Sequence, residues 1–149
     1  MGVRRQGREI ALQALYRMEM TGDESSSAGL AFLWEHFEAP PAGRGFAEEL
    51  SQGVQRERSR IDELLAGALE NWSLARLSRV DLTVLRIATY ELLHRDEHVP
   101  TEVVIDEAIE IARRFGGEES SQFVNGVLDQ VAGVLGAREH RDARPADDE

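Results

Sequence analysis

Three arginines stand within five positions near the amino terminus, Arg4, Arg5 and Arg8, with no acid before Glu9. Guanidinium groups spaced in this way can grip the phosphates of a nucleic-acid strand. The helix that follows carries Gln13, a hydrogen-bonder, and Tyr16, a ring on which an unpaired base can stack. Near the other end, "SSQFVNGVLDQV" places Phe123 and Asn125 beside Gly126, inside an apolar pattern with helical spacing: Val124, Val127, Leu128, Val131 and Leu135. Asn-Gly is a strong turn signal, so a helix that keeps it needs a reason. Two are open. Gly126 and Gly133, seven residues apart, form a stripe where another backbone comes close, with Asn125 satisfying a buried backbone group; or Phe123 and Asn125 stack and hydrogen-bond a base.

Other chemistry finds less support. His94 and His98 have the spacing of a helical metal pair, but Pro100 puts the second in a loop and no third ligand has compatible spacing, so two solvated histidines are expected and no metal. Asp106, Glu107 and Glu110 could do acid/base work or bind a cation, yet such a cluster is also the ordinary outer face of an amphipathic helix. The absence of cysteine excludes thiolate nucleophiles and disulfides. With no nucleophilic triad, phosphate loop or dinucleotide fingerprint, the chain does not read as an enzyme, and no cofactor is expected.

The elements that must hold these residues are helices. No strand-period alternation is present, and the four prolines are confined to "APPAG", "HVPTE" and the tail. The pattern predicts helix one from Arg4 to Met20 and a second through Leu30, Leu33, Trp34 and Phe37. A third begins near Phe46, and a fourth starts at a Ser59 cap and runs to Trp72. The fifth follows a Ser78 cap and is apolar on most of its circumference, as the buried centre of a bundle is. The sixth has Pro100 in its first turn and a buried stripe of Val104, Ala108, Ile111, Ala112 and Phe115, and stops at Gly116-Gly117. The last begins around Glu119 to Ser121 and ends near Gly136.

At 149 residues, 42% apolar and 30% charged, the chain is the size of one domain. No apolar run reaches membrane-spanning length, and a cytoplasmic protein with no membrane partner is expected. The net charge of −11 argues against nucleic acid until its distribution is read. Residues 138–149 carry three arginines against five acids and almost no large apolar group, the composition of a disordered acidic tail after a 1–137 domain.

Taken together, "RRQGREIALQALYRMEM", "NWSLARLSRVDLTVLRIATYELL" and "VPTEVVIDEAIEIARRFGGEESSQFVNGVLDQV" resemble the NusB family of bacterial transcription antitermination factors, block by block and in the family's order from Arg4 to about Leu135. The resemblance implies an all-α fold of about seven helices in two small packed bundles, without catalytic activity. It implies binding of boxA-type single-stranded RNA together with the ribosomal protein NusE, within an RNA polymerase antitermination complex. Carried over residue by residue, it assigns RNA contacts to Arg4, Arg5, Arg8, Gln13, Tyr16, Phe123 and Asn125, and a NusE surface around the helix from Ser78 to His94. A homodimer covering the arginine surface is compatible with the family. Two other readings stand beside it: a helical protein-interaction adaptor, and an accessory RNA-binding unit like the amino-terminal part of certain RNA cytosine methyltransferases.

Overall fold

The computed structural model describes residues 2–22, 31, 35, 41–70, 73–95 and 99–143. Among these there are six long helices and no strand: α1 (Val3–Thr21), α2 (Pro41–Arg56), α3 (Arg58–Ala68), α4 (Arg79–Leu93), α5 (Thr101–Gly116) and α6 (Glu118–Ala143), with a single 3-10 turn, Leu74–Arg76, ahead of α4. Leu30, Leu33, Trp34 and Phe37 of the expected second helix, and Trp72 and His98, fall outside the described residues.

The helix ends show why the chain breaks where it does. α1 stops at Gly22, whose φ of 77° is the left-handed conformation that glycine adopts without penalty, and its N–H donates back to the Met18 carbonyl. α5 stops at Gly117, with φ of 95°, and α6 starts at the next residue. The Ser78 cap forms as expected: its Oγ accepts from the Asp81 N–H at 3.0 Å. The expected Ser59 cap does not. Glu57 precedes the first turn of α3 without a side-chain cap, because α2 and α3 are nearly continuous and Ser59 is already helical. Similarly α2 starts at Pro41, before Phe46; Pro100 is the residue ahead of α5 rather than within its first turn; and α6 runs past Gly136 to Ala143.

α4 is the centre. Ten of its fifteen residues are buried, Leu82 to Tyr90 and Leu92. α1 and α2 pack together on one side of it and α5 and α6 on the other, while α3 contacts both α4 and α6. Two sub-bundles thus share one core, in which Leu12, Leu15, Leu50, Ile61, Leu65, Leu85, Val104, Val124 and Leu128 are buried together. A partner surface on α4 itself is therefore limited to its few outward positions. α2 crosses α4 closely because Gly53 has no side chain: a Cβ there would run into the Tyr90 ring.

Charge is also buried at this centre. Arg86, 6% exposed, donates from Nε and Nη2 to the two oxygens of Asp62 at 2.9 and 3.0 Å, and from Nη1 to Glu19 at 2.6 Å. Arg58 and Arg79 reach the same Glu19 at 2.9 and 3.6 Å. Burial pushes the Glu19 carboxyl up, but the hydrogen bond from Arg86 and the charges of Arg86, Arg58 and Arg79 outweigh it and hold the group below its ordinary value. The network ties the end of α1 to α3 and α4.

Candidate nucleic-acid interface

The amino-terminal arginines meet three different surroundings. Arg4 is exposed, and its guanidinium lies 4.9 Å from the centre of the Phe46 ring. Arg5 is half-buried and forms a fork-on-fork pair with Glu107 of α5, Nε to Oε2 at 2.8 Å and Nη2 to Oε1 at 3.0 Å. Arg8 is only 4% exposed and makes the same kind of pair with Glu91 of α4, at 2.9 and 2.8 Å. Its guanidinium also lies 5.4 Å from Phe46. Gly7 permits this arrangement, since a Cβ there would come within 2.9 Å of Phe46 and 3.2 Å of the Gly43 carbonyl.

The expectation that all three arginines face a ligand is thus altered for Arg8. It points into the protein because it shares the stripe of Ala11, Leu12 and Leu15, and its charge is satisfied there by Glu91. Arg4, Arg5 and the largely buried Arg8 line an open groove of about 570 Å³ between the starts of α1 and α5, with Val99, Pro100 and Val103 as its apolar side and Glu107 at its edge. A second cleft of about 240 Å³ shares Arg4 and Val99 with it and continues past Phe46 to Tyr90, His94 and Arg95.

Along the outer face of α1, Gln13 is exposed and Tyr16 is 37% exposed. This edge runs beside α5: Glu9 pairs with Arg114 at 2.7 Å just as Arg5 pairs with Glu107. Arg114 in turn lies 5.6 Å from the centre of the Phe115 ring, which is 40% exposed. Phe115 was expected in the buried stripe of α5; the Gly116-Gly117 stop leaves it at the helix end, with the side chain outside. It joins the candidate aromatic surfaces, and its place directly before two glycines was the signal available for it.

On α6, Asn125 is exposed and Phe123 is half-buried against the core. Side chains two residues apart on a helix point in widely different directions, so these two do not share one face. The close-approach reading of the glycines is overturned: a Cβ on Gly126 or Gly133 would have nothing within 4 Å. Both glycines face outward beside Gln122 and Asp129. α6 packs on α5, α4 and α3, and α1 on α2 and α4, with ion pairs from α1 to α5, so the helices carrying the two blocks of candidate residues are joined through α4 and α5.

Of the remaining candidates Asp106 is exposed, and Glu107, Glu110 and His94 are paired. Glu107 is held below the usual carboxylate range by the hydrogen bond from Arg5, against the opposing effect of burial. Glu110 binds Arg113 at 2.6 Å. His94 is exposed but not merely solvated: it contacts Glu57, and its ring centre lies 4.8 Å from that of Tyr90. Among the described residues no group of three or more His, Cys, Asp or Glu is placed to hold a metal, and no helix is long and apolar enough to cross a membrane.

Comparison with known proteins agrees with this architecture. The model of the NusB family matches residues 5–133. The transcription antitermination protein NusB of Geobacter sulfurreducens is 47% identical over 135 residues, 91% of this chain and 97% of that protein. A solved structure of NusB from T. maritima superposes with a TM-score of 0.76 at 44% identity, covering 87% of this chain and 90% of the other. A chain in a crystal structure of antitermination factors NusB and NusE with double-stranded RNA superposes with a TM-score of 0.78, covering 89% and 97% of the two chains; at 22% identity this is a likeness of fold.

Proposed function

Because the chain belongs to the NusB family, we propose that it is a non-catalytic transcription antitermination factor, which binds boxA-type single-stranded RNA together with the ribosomal protein NusE and acts on RNA polymerase during transcription of ribosomal RNA in the cytoplasm. The observation that carries the RNA reading is the groove between the starts of α1 and α5. It combines two forward-facing guanidinium groups, Arg4 and Arg5, with an apolar side of Val99, Pro100 and Val103. That pairing of cations with apolar surface suits a strand whose phosphates and bases both need partners. In this reading Arg4 and Arg5 take phosphates, and Arg8 fixes the first turns of α1 by holding Glu91. Gln13, Tyr16 and Phe115 line the α1–α5 edge along which the strand continues, and on α6 Phe123 stacks on one part of it while Asn125, on a different face, hydrogen-bonds another. The binding unit is residues 1–137, with the acidic segment 138–149 outside it.

Titration with boxA-type RNA at several salt concentrations, with and without NusE, tests this. Each phosphate neutralised on a single strand contributes about 0.7 to the slope of log affinity against log salt. Replacing Arg4 and Arg5 together by alanine is expected to flatten that slope by about 1.4 and to weaken every RNA sequence alike. Phe123→Ala is expected to cost about 1 to 3 kcal/mol with little change in slope. An unchanged slope in the double variant removes the phosphate assignment. At a net charge of −11 the chain alone repels RNA, so a basic partner is expected to raise RNA affinity, and by linkage RNA must raise the affinity for that partner by the same factor.

A further inference from the structure

We propose that Glu107 is a built-in competitor for RNA phosphate: it fills the guanidinium fork of Arg5 in the free protein and is displaced when a phosphodiester takes its place. The inference rests on the RNA reading above and adds to it a residue that lowers affinity.

The argument comes from comparing two ion pairs of the same design. Arg8 also lines the groove, but its side chain and that of Glu91 are only 5% and 10% exposed, with the Phe46 ring over the guanidinium. Separating them would strand two charges away from water, so that pair is permanent. Arg5 and Glu107 are 36% and 23% exposed and stand at the edge of the open groove. Water and ions reach them, and their separation is correspondingly cheap. A carboxylate and a phosphodiester can each accept at two oxygens from the same Nε–Nη2 edge of a guanidinium, so one can replace the other without moving Arg5. The exchange has a cost that the Arg8 pair never meets. Once released, Glu107 stays at the edge of the groove as a negative charge beside a negative strand.

Three consequences can be measured with a boxA-type single-stranded RNA. Glu107→Gln is expected to bind about 3- to 10-fold tighter than the wild type, the loss of one exposed competing pair. Glu110→Gln, on the same helix but paired with Arg113, removes the same charge without touching the fork, and a smaller change is expected. In an Arg5→Ala background the Glu107→Gln gain is expected to shrink to that of removing a bystander charge, the size of the Glu110→Gln change. The gap between wild type and Glu107→Gln also depends on pH. Arg5 holds the Glu107 carboxyl low in the free protein, with Arg8 adding to the effect, while Glu9 and Glu110 act on Arg5 from either side. When phosphate takes the Arg5 fork, that hold is lost and the carboxyl rises, so binding takes up a proton as pH falls through the carboxylate range and the gap closes.

Equal gains from Glu107→Gln and Glu110→Gln, or a Glu107→Gln gain undiminished without Arg5, would overturn the competitor role while leaving the RNA reading intact. A folded wild type that binds the RNA neither alone nor with NusE would overturn both.

Discussion

Arg5 and Arg8 are the same residue three positions apart, yet one faces an open groove and the other is enclosed. The difference was legible in the spacing. Arg8 precedes Leu12 and Leu15 by four and seven positions, the spacing of the buried face, whereas Arg5 lies off that stripe. What the sequence did not contain is the identity of the partners, since Glu91 and Glu107 lie 83 and 102 residues downstream of the arginines they hold. Arg8→Ala is expected to destabilise the protein by about 3 to 5 kcal/mol, because it leaves Glu91 buried without its cation; replacing both by apolar residues of similar size is expected to recover most of that loss. Denaturant unfolding of the single and double variants measures it. Gly126 reverses the usual glycine argument. It sits in mid-helix with open space around it, so Gly126→Ala is expected to stabilise α6 by about 0.5 to 1 kcal/mol in thermal or chemical unfolding. The sequence pattern placed Gly126 in a helix correctly and misjudged its surroundings, since a stripe of small residues looks the same whether it meets a neighbour or solvent.

At the level of elements, the helices themselves were readable from apolar periodicity, and their ends only in part. The Ser78 cap and the glycine stop of α5 rest on local chemistry and appear where expected, whereas the start of α3 depends on its near-continuity with α2, which no local signal announces. Ser78→Ala is expected to cost about 1 kcal/mol through the loss of the cap to the Asp81 N–H. A larger penalty is expected at the α2–α4 crossing. Gly53→Ala puts a methyl group into the Tyr90 ring, and overpacking of this kind costs about 1 to 3 kcal/mol. If the crossing is the cause, Gly53→Ala in a Tyr90→Leu background should be far milder, and comparison of the two unfolding midpoints decides it.

Over the whole molecule, buried and half-buried ion pairs bind the sub-bundles to one another, so stability depends on acid. Glu19 and Glu107 both titrate below their ordinary values in the folded protein. For a depressed carboxyl the contribution is complete above the unfolded-state value of about 4.3 and is lost as pH falls through the lower folded-state values. The unfolding free energy is therefore expected to hold near neutrality and to drop below about pH 4, and Glu19→Gln should flatten that drop while lowering the plateau. The central position of α4 has a further consequence during synthesis, when a chain emerges amino terminus first. α1, α2 and α3 leave the ribosome before the helix on which they pack, and Arg5 and Arg8 emerge long before either acid that restrains them. For that interval the nascent chain carries an unneutralised cationic end, beside ribosomal RNA, with its apolar faces uncovered. Arrival of α4 and α5 supplies Glu91 and Glu107 in turn, and α6 then closes the core, so the protein acquires its restraint on indiscriminate RNA contact only as it finishes folding.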